Sequence, residues 1–102
     1  MKKRFISIST NVLKDIMNND YDIKKYNVLG DSKNHEIIFT KENVKYNLTL
    51  IFNENSIFLC LDIENDKKEF SLDCMIIQRY LKNDDEIAKG IMKTVNKHIE
   101  DF

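Results

Sequence analysis

Apolar and polar residues alternate along the middle of this chain, between His35 and Leu72. Three polar dipeptides interrupt the alternation: Glu42-Asn43, Glu54-Asn55 and Asn65-Asp66. A period of two residues is typical of half-buried strands, and Asn and Asp accommodate the positive φ angles that two-residue hairpin turns require. The pattern therefore predicts four strands joined by three tight hairpins.

The predicted turns determine which residues face each other. With two-residue turns, Lys41 faces Val44, Asn53 faces Ser56, and Glu64 faces Lys67. The pairs on one face are then all apolar: Phe39–Tyr46, Ile37–Leu48, Phe52–Ile57, Leu50–Leu59, Leu48–Leu61, Tyr46–Ile63, Leu61–Phe70 and Leu59–Leu72. Rows such as Ile37, Leu48, Leu61 and Phe70 cross the whole sheet. Because a slip of one residue would break this face, we expect an antiparallel four-stranded β-meander.

A C-terminal helix is expected to cover the apolar face. Asn83 suits the N-cap position and Glu86 the capping-box position. The apolar residues that follow have helical spacing: Ile87, Ile91, Met92, Val95, Ile99 and Phe102. Residues from Met75 to Tyr80, including Ile76 and Arg79, suggest a second, shorter helix before it. The sequence predicts a helix or helix pair on one face of the sheet.

The N-terminal third predicts another helix and leaves one alternative open. Val12, Leu13, Ile16 and Met17 form one apolar stripe, with Ser9 or Thr10 as the N-cap of a helix that ends near Asn19. The segment from Tyr21 to Leu29 suits a fifth strand at the sheet edge, before a turn over residues 30–34. We expect one α+β domain over residues 1–102.

Composition indicates an ordinary globular domain. Of the 102 residues, 42% are hydrophobic and 32% charged, and the formal net charge of -1 does not by itself indicate a phosphate-binding partner. Lysine is abundant and Pro and Trp are absent, which suggests the AT-rich genome of a low-GC bacterium, phage or plasmid. No signal peptide or membrane span is evident, so we expect a cytoplasmic protein.

The candidate chemical groups predict neither a metal site nor an enzyme. Cys60 and Cys74 fit no metal-ligand spacing and are expected to be reduced and partly buried, although a disulfide between them stays open. His35 and His98 are both expected at the surface. The carboxylates of Asp62, Glu64, Asp66 and Glu69 lack the glycine of a calcium loop, and Asp62, Glu64 and Glu69 are expected to face solvent. We expect no cofactor and no catalytic set.

The back of the sheet carries an apolar island. Ile51 faces Phe58, and Cys60 lies close by, among polar neighbours. Such an island often marks an interface with a partner or a second copy of the chain. The alternative is that the N-terminal helix or the segment from Tyr21 to Leu29 covers it.

Two basic groups are weaker candidates. Lys89, Lys93 and Lys97 share one helical face, either as a basic patch or as a solvated face paired with Glu86 and Glu100. A second group comprises residues 1–4 with Lys24 and Lys25, where Tyr21 and Tyr26 could stack nucleic-acid bases. Packing of the two tyrosines at the edge of the core is the alternative.

Two functions follow as expectations. The first is a non-catalytic protein-binding module, such as a phage or plasmid inhibitor or an immunity protein that acts stoichiometrically. The second is a single-stranded nucleic-acid binder, because four antiparallel strands followed by a helix are similar, in topology alone, to the coactivator and whirly-type single-strand binders. The expected acidic residues on the exposed sheet face favour the first, and a homodimer is the simplest partner arrangement.

Overall fold

Both helices pack on one face of a five-stranded antiparallel sheet in the computed structural model, which describes residues 2–30, 33–77 and 83–102. The elements in chain order are α1 (Lys2–Asn18), β1 (Asp22–Leu29), β2 (Asn34–Lys41), β3 (Val44–Phe52), β4 (Ser56–Glu64), β5 (Glu69–Ile77) and α2 (Asp84–Asp101). The strands follow the order β1-β2-β3-β4-β5, each paired with its sequence neighbour. The predicted α+β class and the meander are confirmed.

Helix α1 begins well before the predicted N-cap. Ser9 lies in the middle of the helix and is fully buried, so the prediction of Ser9 or Thr10 as the N-cap is wrong. The apolar stripe begins earlier than Val12 because Phe5 and Ile8 continue it backward at helical spacing, and both are buried. The helix ends at Asn18, close to the predicted position.

The alternative of a fifth strand is confirmed. Strand β1 pairs with β2 at the edge of the sheet, and its register shifts between Ile23 and Lys25. A bulge at this point reverses which side chains face the core: Ile23 does so before it, and Tyr26 after it.

The first two hairpins have the predicted registers. Lys41 faces Val44, and Glu42 and Asn43 have φ angles of 52° and 67°, as a two-residue turn requires. Phe52 faces Ile57, and the backbone N–H of Asn53 donates to the carbonyl of Ser56 at 2.8 Å.

The third hairpin differs from the prediction by two residues. Glu64 faces Glu69 rather than Lys67, and Leu61 faces Leu72 rather than Phe70. The physical reason lies in Asn65, whose side-chain oxygen accepts hydrogen bonds from the backbone N–H groups of Lys67 and Lys68 at 2.8 and 2.9 Å. A shift of two residues keeps every side chain on its own face, so the hydrophobic pattern is equally satisfied.

Strand β5 continues past the expected strand end at Leu72. Met75 and Ile76 belong to this strand, so the predicted short helix is wrong over residues 75–77. Alternation explains the result, because the core-facing residues Leu72, Cys74 and Ile76 are partly buried against the core. The rest of the predicted short helix, including Arg79 and Tyr80, lies outside the described residues.

The core lies between the sheet and the two helices. Phe5 of α1 stacks on Phe52 of β3, with ring centroids 4.6 Å apart. Helix α2 contributes Ile87, Ala88, Ile91, Met92 and Val95. Its N-cap is confirmed: the side-chain oxygen of Asn83 accepts from the backbone N–H of Glu86 at 2.8 Å, and the Asn83 amide donates to the Glu86 carboxylate at 2.7 Å.

The two histidines have different environments. His35 is fully buried, so the prediction of a surface position is wrong for this residue. It lies near the start of β2 on the core face, with its ring nearly perpendicular to that of Phe52 and its Nδ1 atom 3.3 Å from the Tyr26 hydroxyl. His98 lies in the last turn of α2 and stacks on Phe70, with centroids 5.7 Å apart.

Candidate functional surface

The face of the sheet opposite the core carries no described helix, and we call it the open face. Side chains alternate between the two faces along each strand, and those that pack against α1 and α2 all belong to the core face. Helix α1 packs against the core face, and β1 extends the sheet beside β2. Neither of the two elements expected as a cover therefore lies over the open face.

The apolar island of the open face is a row across three strands. Ile51 of β3 faces Phe58 of β4, and Phe58 faces Met75 of β5. Ile51 and Phe58 are half-buried, whereas 59% of Met75 is accessible to solvent. We call Ile51, Phe58 and Met75 the apolar row. Cross-strand packing within the row holds its side chains in place while leaving their outer surface uncovered.

The row approaches the far edge of the sheet as well. Ile51 also faces Asn34 of β2, which in turn faces Leu29 of β1, and Leu29 is 50% exposed. One polar residue thus separates a further exposed apolar side chain from the apolar row. The arrangement suits a broad, shallow contact better than a pocket for a small molecule.

Cys60 lies on the open face in the next row, between Thr49 and Asp73. Burial, a hydrogen bond to Asp73 and the negative charges of Asp73 and Asp62 raise the pKa of the Cys60 thiol to about 11. The thiolate is the nucleophilic form, so Cys60 is a poor nucleophile at neutral pH. The geometry favours a packing role for this side chain.

The two cysteines do not meet. Cys74 faces Leu59 on the core face, whereas Cys60 belongs to the open face. Both thiols are free and half-buried, as expected for reduced cysteines. Burial also raises the pKa of Cys74, with a further contribution from the charge of Asp73.

Acidic side chains concentrate on the half of the open face formed by β4 and β5. Asp62, Glu64, Glu69 and Asp73 are all exposed there, as the alternation predicted for the first three. Asp62 accepts a hydrogen bond from the Ser71 hydroxyl at 2.7 Å, and Glu64 lies 4.0 Å from the ammonium of Lys45. Across the described residues, no group of His, Cys, Asp and Glu is arranged to hold a metal ion.

The three predicted lysines of α2 lie on the opposite side of the molecule from the open face. Lys89, Lys93 and Lys97 are exposed on α2, on the outer surface of the helix layer. Lys89 pairs with Asp85 at 3.0 Å, one turn away, rather than with Glu86. Asp15 and Glu100 line the same shallow surface groove as the three lysines, so its charges are mixed.

The second predicted basic group is divided among local contacts. Arg4 pairs with Asp84 at 2.7 Å, and Lys24 pairs with Asp22 at the same distance. The ring of Tyr21 stands edge-on to the ring of Phe39, at a centroid distance of 5.2 Å. Its ring therefore belongs to the margin of the core.

Met75 and Asp73 lie on the open face as well. They were not predicted there, because the last strand was expected to end near Leu72. The signal was present: polar and apolar residues alternate from Phe70 to Cys74, and Met75 falls in the open-face phase. Extending the strand by this alternation would have placed Met75 on the same face as Phe58, although the predicted register sets Asp73, not Met75, directly opposite Phe58.

Comparison with protein-family models, with curated proteins and with solved structures found no match to this chain. Of the helices that the structure describes, neither is long and apolar enough to cross a membrane.

Proposed function

We propose that this chain is a non-catalytic protein-binding module that acts stoichiometrically on a protein partner, in the manner of a phage or plasmid inhibitor or an immunity protein. The observation that carries the proposal is the apolar row on a sheet face that no described helix covers. Ile51, Phe58 and Met75 offer a contiguous apolar contact, and its polar surroundings are typical of the rim of an interface.

The chemistry of the open face supports binding more than catalysis. Its thiol, Cys60, has its pKa raised to about 11, which keeps it protonated at neutral pH. The carboxylates of Asp62, Glu64 and Glu69 line a half-open depression of about 340 Å³ together with Lys45 and Ser71, and all three are exposed to solvent there. Acid–base and nucleophilic catalysis need positioned and activated partners, which this surface does not supply.

Charge favours a protein partner over single-stranded nucleic acid. A surface that follows a phosphate backbone is basic, whereas the β4–β5 half of the open face carries four exposed carboxylates. The lysines of α2 lie on the other side of the molecule, beside Asp15 and Glu100.

Affinity capture from a host lysate, with and without nuclease treatment, tests the proposal. We expect a specific protein to be retained after nuclease treatment, and Phe58→Asp or Met75→Gln to reduce its recovery at least about tenfold. Met75→Gln changes an exposed side chain, so we expect this variant to fold like the original chain. Lys93→Glu on α2 is the matched control and should leave capture unchanged. Loss of every partner on nuclease treatment would favour nucleic-acid binding instead.

A further inference from the structure

The outer edge of β5 carries backbone groups that point away from β4, and no other described strand pairs with them. The backbone N–H of Asn65 donates to the carbonyl of Lys68 at 3.0 Å, which makes these two a hydrogen-bonded pair. Hydrogen-bonded and non-hydrogen-bonded pairs alternate along an antiparallel ladder. The residues of β5 that are not hydrogen-bonded to β4, and whose backbone groups therefore point outward, are Glu69, Ser71, Asp73, Met75 and Ile77.

The two edges of the sheet differ in their protection. Strand β1 has a bulge between Ile23 and Lys25 and carries two exposed lysines, Lys24 and Lys25. Bulges and lysines are the usual means by which an edge strand resists pairing with another chain. Strand β5 is nine residues long, pairs with β4 without a register shift and contains neither Lys nor Pro. Among the described elements, none lies beyond it.

The side chains of β5 determine which residues an added strand would need in order to pair with this edge. On the core face, Leu72, Cys74 and Ile76 are only partly buried, so a further strand would cover them with apolar residues. On the open face, Glu69 and Asp73 are exposed, and no ion pair to either occurs in the part of the chain that the structure describes. Opposite charges directly across a ladder stabilise it, and like charges destabilise it.

We propose that β5 accepts an extended segment of the partner protein as a sixth strand, with basic residues opposite Glu69 and Asp73 alternating with apolar residues beside Leu72 and Ile76. This inference rests on the proposed protein-binding function and names the chemistry of the partner. Met75 belongs to both surfaces, so the apolar row reaches the edge at which the added strand would pair. A second copy of the chain fits this edge less well, because its own Glu69 and Asp73 would add negative charges beside those of the first copy.

Two synthetic nine-residue peptides provide the probe: one alternates Lys with Val, and the other alternates Glu with Val. By isothermal titration calorimetry, we expect the Lys peptide to bind at least about tenfold more tightly than the Glu peptide. Raising the salt concentration from about 50 mM to about 500 mM should weaken binding of the Lys peptide several-fold. Binding of the two peptides within about threefold of each other, or no binding of either, overturns the proposal.

Substitutions at Ser71 test the edge itself. Ser71→Pro removes an outward backbone N–H without removing a hydrogen bond to β4. It should therefore weaken binding of the Lys peptide about tenfold or more. Ser71→Ala loses the same hydroxyl but keeps the N–H, and should stay within about threefold of the original chain. If Ser71→Pro unfolds the chain, the double change Glu69→Lys with Asp73→Lys replaces it and should reverse the preference between the peptides. Unchanged peptide preference after that double change contradicts the proposal.

Two further outcomes separate this inference from the proposed function. A captured partner that is lost with Met75→Gln but retained with Ser71→Pro would leave the open-face function standing and overturn the edge inference. Failure to capture any protein, together with the expected peptide behaviour, would overturn the proposed function alone. A dimer in sedimentation that Ser71→Pro converts to monomer would show that a second copy occupies the edge and would overturn the basic-segment proposal.

Discussion

Phe58 of β4 faces Met75 of β5 on the side of the sheet that the described helices leave uncovered. The next residue, Leu59, points the other way and is fully buried beneath the helices. Two adjacent apolar residues thus have opposite roles, and their consequences for stability and for binding can be measured separately.

Alanine substitutions at these neighbours should differ in cost. Leu59→Ala should lower the free energy of unfolding by about 2–5 kcal/mol, because it leaves a cavity in the core. Phe58→Ala should lower it by only about 1 kcal/mol, because it loses cross-strand packing on a half-exposed face. Urea denaturation followed by circular dichroism measures both values. Equal losses for the two variants would show that the open face is covered.

The third hairpin should depend on one side chain. Asn65→Ala removes the acceptor for the backbone N–H groups of Lys67 and Lys68, and should lower the free energy of unfolding by about 1–2 kcal/mol. Asn65→Asp keeps an acceptor oxygen at the same position and is the matched control, with stability close to that of the original chain. A loss for Asn65→Asp as large as that for Asn65→Ala would contradict this role.

The reactivity of Cys60 should respond to Asp73. Because the pKa of Cys60 is raised to about 11 by burial and by the neighbouring carboxylates, its alkylation by iodoacetamide at pH 8 should be slow and should accelerate as the pH rises toward 11. Asp73→Asn removes a negative charge and should lower this pKa, so that alkylation at pH 8 becomes several-fold faster. Peptide mass spectrometry resolves Cys60 from Cys74, and Asp85→Asn serves as the control. An unchanged rate in Asp73→Asn would exclude the proposed charge effect.

Alkaline pH should destabilise the core margin. The pKa of Tyr46 is raised to about 12 by burial, with further contributions from Tyr21 and Glu42. An unfolded tyrosine has a pKa near its ordinary value of about 10, so the folded state holds this proton more tightly. The contribution of Tyr46 to the free energy of unfolding is therefore fully present below about pH 10 and is lost as the pH rises toward 12.

Tyr46→Phe has no proton to lose at this position and is the variant that isolates the effect. Between pH 9 and pH 11, its free energy of unfolding should fall less steeply than that of the original chain, as measured by urea denaturation at each pH. Equally steep falls would mean that other groups cause the alkaline loss.

The sequence was informative where the period of two residues decides the outcome. Pairs such as Ile37–Leu48 and Leu50–Leu59 could be predicted because a one-residue slip would have exposed the whole apolar face. The register of β5 could not, because pairing Leu61 with Leu72 or with Phe70 satisfies the same pattern. Hydrogen bonds from two backbone N–H groups to one Asn65 side chain decide between them, and hydrophobicity does not report such bonds.

The candidate surface was predictable in part for the same reason. Ile51, Phe58 and Cys60 were expected together on the back of the sheet, and the structure places them there. Met75 was missed because the residues after Leu72 also suit a short helix. The burial of His35 was missed although the alternation of β2 places it on the core face, two residues before Ile37 and opposite Leu50. Its contacts with Phe52 and Tyr26 come from two other strands.

Hydroxyl-radical footprinting of the captured complex tests the central proposal most directly, because the chain contains its own control. Met75 on the open face and Met17 on α1 are 59% and 56% exposed, so both should oxidise readily in the isolated chain. Partner binding should protect Met75 several-fold and leave Met17 unchanged. Protection of Met17 with continued oxidation of Met75 would contradict the assignment of the open face as the binding surface.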